Sequence, residues 1–316
     1  MKKSKKVFLQ TGAFTFLSLV LSAAIQRLLF LLPNKKYKAD DGLFYSWKDQ
    51  DIFYKVIGTG SPVLLLHNTC IGASHKEWEK NIDALSRSHR IYIPDLPGYG
   101  SSSKVAKTYT AYEYAVFIHD FITDIIGQPT SIIASSVSGC LALKAYELHP
   151  QDVKKLALIS PTGMEEVPFA TSEESRTLAL LQKPLLGTGM YLKECSKKAI
   201  TDRLQKEMFF SKELVTKELV QSYYLSAHLG YEKARFAYAS AASRFIHASI
   251  QKTLETISIP LMVVWGEENI CNPPHYLEKI QQLHPEGEYI LFEKTRMLPH
   301  YENYSEFNKI IEQFIN

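Results

Sequence analysis

Ser136 sits where the run Ser131-Ile-Ile-Ala-Ser-Ser-Val-Ser-Gly139 passes from strand-like into helix-forming sequence. A serine on such a turn is held with its hydroxyl exposed, and the backbone N–H that follows points into the same space. Small residues are needed beside it because the backbones crowd. Ala134 and Ser138 are the small flanks, and Gly139 comes next. The chemistry such a serine performs is attack on an acyl group. A hydroxyl is a poor nucleophile until a base takes its proton, and that base needs an orienting acid. Alone, a serine-rich strand end is equally well an ordinary turn.

The elements that must position Ser136 are legible as alternating patterns. Leu43–Trp47 and Ile52–Ile57 read as a β-hairpin. Short apolar runs of the buried-strand type follow at Val63–His67, Ile91–Ile93, Ser131–Ala134, Leu156–Ile159, Leu261–Trp265 and Tyr289–Phe292. Tyr112–Ile126, Gly139–Leu148 and His275–Leu283 have helical spacing. Strands alternating with helices predict a mostly parallel sheet covered on both faces, an α/β fold. From Pro161 to about Ser258 no strand is evident, which reads as a helical insertion. Tyr223, Tyr224, Tyr231, Phe236, Tyr238 and Phe245 recur in it, either as an aromatic core or as the roof of an apolar pocket over Ser136.

Five ordered blocks resemble the α/β-hydrolase family over nearly all of residues 43–316. They are Leu64-Leu-Leu-His67 with Trp78, Asp95-Leu-Pro-Gly-Tyr-Gly-Ser-Ser102, Ser136 through His149-Pro150, Ile259 through Glu267, and Leu298-Pro-His-Tyr-Glu302 with Phe307-Asn308. The resemblance implies an α/β-hydrolase fold with a helical lid, Ser136 as nucleophile, and the N–H groups of Val137 and of Asn68 or Thr69 as oxyanion donors. It also places Asn269 at the acid position and Met297 at the histidine position. His67-Asn68 stands where the family usually has His-Gly, and Ala134 and Ser138 replace the two glycines of the usual elbow. A thioether accepts no proton near neutral pH, and a carboxamide carries no charge to stabilise an imidazolium. The nearest replacements are His300 as base and Glu268 as acid. His67, His228 and His247 are further histidines, each with a structural explanation available.

The ends and the composition set the remaining expectations. The chain has 316 residues, with 36 Lys+Arg against 33 Asp+Glu. Eight of those basic residues, and no acid, lie within residues 1–38, so the rest of the chain is acidic by 33 against 28. An acidic body argues against a nucleic-acid partner. Lys2–Lys6 precede an apolar run from Val7 to Ile25, interrupted by Gln26 and Arg27, resumed at Leu28–Leu32 and closed by Pro33. This reads as an uncleaved single-pass membrane anchor with the body outside the cytoplasm. The alternative is a signal peptide cut after Ser22-Ala23-Ala24. The expected division is therefore an anchor (1–38), a core in two parts (39–161 and 259–316) and a lid (162–258). Four dispersed cysteines form no CxxC pair, and no phosphate loop, HExxH or GxGxxG is present, so no metal or cofactor is expected. Two functions stay open: a serine hydrolase of carboxylic esters or related acyl bonds, and a catalytically degenerate binding or scaffold protein. Both imply a small apolar or acyl-type ligand.

Overall fold

The computed structural model describes residues 2–165 and 171–316, with side chains from Leu17 onward. Eight strands form one sheet: β1 (Leu43–Trp47), β2 (Gln50–Ile57), β3 (Ser61–Leu66), β4 (His89–Pro94), β5 (Thr130–Ser135), β6 (Val153–Ile159), β7 (Leu261–Gly266) and β8 (Glu288–Phe292). Their spatial order is β1-β2-β4-β3-β5-β6-β7-β8. The β1–β2 hairpin pairs antiparallel onto β4, and every pairing from β4 to β8 is parallel. The crossing of β3 and β4 leaves β3 and β5 adjacent, so the loops that follow them face each other at one edge. Ligands of open parallel sheets bind at such carboxyl ends.

The central strands carry continuous apolar runs because both faces are covered there. Leu64, Leu66, Ile132, Ala134, Leu156, Leu158, Val263 and Trp265 point into one core, with the helices Ala111–Phe121, Val137–Leu148 and His275–Leu283. Their neighbours Val63, Leu65, Ile133, Ala157, Ile159, Met262 and Val264 point into the other, against Trp78 and the helix Tyr304–Ile315. This period of two is the ordinary geometry of a strand, and each such side chain contributes about 1.5–3 kcal/mol on burial.

Between β6 and β7 the described residues form helices and no strand, among them Ser172–Gln182, Leu186–Glu194, Lys197–Arg203, Lys217–His228 and Arg235–Ala242. Residues 166–170 of this insertion lie outside the described residues. Its fit to the sheet edge is tight: a Cβ on Gly72, whose φ is +82°, would come within 2.3 Å of the Tyr223 carbonyl oxygen.

The N-terminal segment is one helix, Lys2–Lys36. Pro33 closes the apolar run, and the helix continues one turn beyond it. Proline removes the hydrogen bond its own N–H would donate, but the neighbouring Asn34 Nδ2 donates to Phe30 O at 2.8 Å, and Tyr37 N donates to Pro33 O at 3.1 Å. Leu17–Lys36 is long and apolar enough to cross a membrane, with a mean hydropathy of 1.5. Its far end rests on the helical insertion. Phe30 is buried among Tyr191, Cys195, Ala227 and Ala234, Gln26 Nε2 donates to Leu185 O at 2.9 Å, and Asn34 Nδ2 also donates to His228 O at 2.7 Å. The linker is then held by Tyr37, whose hydroxyl lies 2.6 Å from Ser101 Oγ, and by Asp40, which pairs with His75 and Lys76.

Candidate active site

β5 ends at Ser135, and the next residue turns the chain into the helix Val137–Leu148. Ser136 takes φ 54° and ψ −121° to make that turn. A non-glycine residue in such a conformation costs on the order of 1–3 kcal/mol and persists only where its surroundings impose it. They do so here through Ser136 N, which donates to Ile159 O at 2.8 Å, and Ser136 O, which accepts from Gly139 N at 3.0 Å. The Ser136 hydroxyl has no hydrogen-bond partner among the described residues, and no histidine bonds it. Val137 is the first residue of the helix, so its N–H has no partner within the helix and adds to the partial positive charge of the helix end.

One of the two replaced elbow glycines, at Ser138, has a local explanation. Ser138 donates its hydroxyl to His67 O at 2.5 Å, stitching the elbow helix to the loop after β3. The strict demand for glycine falls one position later, because a Cβ on Gly139 would lie 2.8 Å from the Pro161 Cβ.

The loop after β3 is built around a buried carboxylate that sequence reasoning missed. Glu77 Oε2 accepts from Asn68 N at 3.0 Å and also from the Asn68 amide, and Asn68 Oδ1 accepts from Cys70 N at 2.7 Å. The Asn68 N–H is therefore engaged, and of the two alternatives named beside Val137 only Thr69 N–H lacks a bond among the described residues. The only hint in the sequence is that Glu77 adjoins Trp78, one of the residues that carry the family resemblance. His67 is structural in geometry: Leu96 N donates to its Nε2 at 3.0 Å, so Nδ1 carries the proton toward Asn68 O at 2.5 Å, and burial pushes its pKa down.

The loops after β7 and β8 carry Asn269 and Met297, the residues expected at the acid and base positions. Asn269 is buried, and its Oδ1 accepts from Cys271 N at 3.1 Å and Asn272 N at 3.0 Å. Those two donors fix the amide's orientation and leave Nδ2 with no partner. An aspartate would present a second oxygen there. Met297 packs among Met208, Phe209, Tyr223 and Leu298, and its N–H donates to Met208 O at 3.2 Å. The residues around it hold the insertion as well. Glu302 accepts from Arg296 N, Phe210 N and Ser211 N at 2.8, 2.8 and 3.1 Å, and Arg296 donates to the Phe209 carbonyl at 3.3 Å. Met297 and its neighbours thus form a seat for the insertion.

His300 and Glu268 are not brought to Ser136. His300 is fully buried against Trp78 and Phe307, with Nε2 3.2 Å from Glu77 Oε1. The Glu268 side chain is exposed, and its N–H donates to Thr295 O at 2.9 Å. His228 bonds Tyr224 O at 2.6 Å, and burial lowers its pKa; His247 is held down at about 4 by burial and by Arg244. The six aromatics of the insertion are divided among separate clusters: Tyr223 and Tyr224 with Met297, Tyr231 and Tyr238 with Phe30, Phe245 with Leu178 and Leu181, and Phe236 with the sheet core. They pack the insertion rather than converge on one wall.

One group of metal-type ligands exists elsewhere. His119, His149 and Asp152 lie at the opposite edge of the sheet, with ligand atoms within 4.8 Å of one another. The two rings stack at 3.5 Å and 8°, and His119 Nδ1 is 2.6 Å from Asp152 Oδ2. Parallel rings do not aim two in-plane lone pairs at one ion, and the bond to Asp152 accounts for the arrangement.

Comparison with known proteins gives the same architecture. The family model described as alpha/beta hydrolase fold matches residues 62–304. Lipase 3 of Moraxella sp. (strain TA144) is 25% identical over 254 residues, which cover 76% of this chain and 73% of the lipase. A meta-cleavage product hydrolase from Pseudomonas fluorescens IP01 superposes with a TM-score of 0.71 at 20% identity, over 86% of this chain and 97% of that one. A membrane phospholipase A, described as a bacterial virulence factor, superposes with a TM-score of 0.69 at 20% identity over 99% of this chain and 98% of that one.

Proposed function

Because the chain belongs to the α/β-hydrolase fold family, we propose that it is a membrane-anchored member which retains Ser136 and an acyl-ester-binding site but has lost base-catalysed turnover. The observation that carries this reading is Met297, a thioether at the base position whose neighbours are residues of the helical insertion. With Asn269 at the acid position, two of the three roles have no group able to fill them. The Ser136 hydroxyl keeps only what the Val137 and Thr69 N–H groups and binding supply. Removal of triad members leaves catalysis of that residual kind. The ligand class is supported by lipase-type relatives and by the apolar N-terminal helix, which as an anchor would hold the body beside acyl chains.

One observation favours turnover instead. Ser136 holds a strained backbone conformation with an unbonded hydroxyl, a cost that a purely structural serine has no reason to carry. The deciding experiment treats full-length protein in detergent with a serine-directed phosphonate and maps the labelled residue. Slow labelling of Ser136, with ester hydrolysis unchanged by Ser136→Ala, is the expected result. Rapid labelling together with hydrolysis that Ser136→Ala abolishes would establish a working hydrolase.

A further inference from the structure

Where the N-terminal helix meets the insertion there is a cleft of about 250 Å³, lined by Ala23, Gln26, Arg27, Phe30, Pro184, Leu185, Thr188, Glu232 and Arg235. Its chemistry is unlike the apolar packing on either side. Two arginines and one glutamate line it, and neither arginine has a carboxylate within ion-pair distance among the described residues. Arg235 is 5% exposed. It donates to Glu232 O at 2.6 Å and to Gln182 O at 3.1 Å, while its Nε, buried, has no partner. Arg27 lies over the Tyr231 ring at 5.8 Å. Thr188 stands in the first turn of the helix Leu186–Glu194, where the Leu186 and Gly187 N–H groups already donate to Pro184 O and Lys183 O, so the arginines supply the positive charge.

A buried, incompletely bonded guanidinium is costly unless something completes its bonding. The position of the cleft says what could. Gln26 and Arg27 directly follow the apolar run Val7–Ile25, so for a span over that run the cleft opens at the level where the helix would leave the hydrocarbon. Ile25 and Leu29 of that helix and Leu186 and Met190 of the insertion stay exposed nearby. From this geometry we infer that the cleft binds the phosphodiester of an anionic phospholipid, with Arg27 and Arg235 on the phosphate and the acyl chains lying along the exposed leucines. The inference rests on the membrane-anchored reading above, and it assigns the insertion a lipid contact distinct from Ser136.

The test uses full-length protein in maltoside micelles and reads the thermal midpoint during titration with phosphatidylglycerol, diacylglycerol or inorganic phosphate. Phosphatidylglycerol should raise the midpoint, and diacylglycerol should not. Arg27→Gln should weaken phosphatidylglycerol at least about tenfold, in keeping with a charge-assisted bond, whereas Glu232→Gln should strengthen it. The opposite signs separate recognition from simple damage to the fold. Equal effects of diacylglycerol and phosphatidylglycerol, or no change in either variant, would overturn the site. Inorganic phosphate binding as tightly as the lipid would overturn the lipid as its source. Flotation with phosphatidylcholine vesicles is scored separately: loss of flotation removes the anchor reading, while flotation without phosphatidylglycerol selectivity removes only the cleft.

Discussion

His300 Nε2 lies 3.2 Å from Glu77 Oε1, and both side chains are sealed from solvent. The contact has the distance of an ion pair without the alignment of a hydrogen bond, so both ring nitrogens of His300 lack a partner. Glu77 spends its other oxygen on Asn68. The carboxylate is therefore the post on which the loop after β3 and the segment after β8 both hang. Glu77→Ala should cost about 3–5 kcal/mol, because it strands a buried imidazole and a buried N–H. Glu77→Gln keeps the shape and should cost less. Urea unfolding in detergent, followed by circular dichroism, measures both, and His300→Ala should alter stability while leaving ester turnover unchanged.

Restoring the two substituted positions tests the site itself. Met297→His with Asn269→Asp should raise hydrolysis of an activated short-chain ester by about 10²-fold or more, within the reach of general-base catalysis. Either change alone should do much less, since the roles act as a unit. The gain should disappear with Ser136→Ala. A double variant that folds and gains nothing would show that residues 269 and 297 do not occupy the acid and base positions.

The elbow makes a sharper demand at Gly139 than at Ser138. Gly139→Ala brings a Cβ to 2.8 Å from the Pro161 Cβ, and overpacking of that sort costs about 1–3 kcal/mol. Ser138→Ala leaves the buried His67 carbonyl without its donor and should cost about 1–3 kcal/mol. Chemical denaturation ranks the two, and a neutral Gly139→Ala would mean that the loop at Pro161 yields easily.

Docking of the linker should depend on pH through His75. Burial pushes the His75 pKa down, but the Asp95 and Asp40 carboxylates outweigh it, and the net direction is up. The bond to His75 is the main reason that the Asp40 carboxyl lies below its usual range. Burial of Asp95 works the other way but is overcome by His75, which holds it at about 2. A raised histidine contributes stability that is fully present below its unfolded value, about 6.5, and lost as pH rises through the folded value. The lowered carboxylates contribute above about pH 4 and lose their share as pH falls through their folded values. Proteolysis of the linker between Tyr37 and Gly42 should therefore be slowest near pH 5–6 and quicken toward pH 9. His75→Ala should flatten that alkaline rise.

The anchor reading predicts that full-length protein stays with membranes through an alkaline carbonate wash, and that a chain beginning near Ala39 is released. Recovery of a mature N-terminus at Ile25 would show a cleaved signal peptide instead.

Much of the frame was legible because burial on both faces writes long apolar strands, as in Leu64–Leu66 and Val263–Trp265, and turn residues punctuate them. The ends were less exact: β6 starts at Val153, three residues before the apolar run, because Lys154 and Lys155 lie on a part of the strand open to solvent. Ser136 could be singled out because its strain needs small neighbours that are local in sequence. Glu77 could not, because its partners Asn68 and His300 come from distant segments and are joined only by the fold. The aromatic residues of the insertion failed in the same manner: their periodicity marks a buried face but not which of several cores receives it.

The N-terminal helix is in contact with the insertion at Gln26, Phe30 and Asn34, one face at a spacing of four, and it does not break before Lys36. Its 35 residues make a rod of about 50 Å. For a chain held in a bilayer by this rod, the insertion is a fixture on the shaft rather than a flap on a hinge. A thinner or thicker membrane that tilts the shaft tilts the insertion with it. The relation between Ser136 and the lipid surface is then set by the membrane's own dimensions, so bilayer thickness becomes a variable of the site.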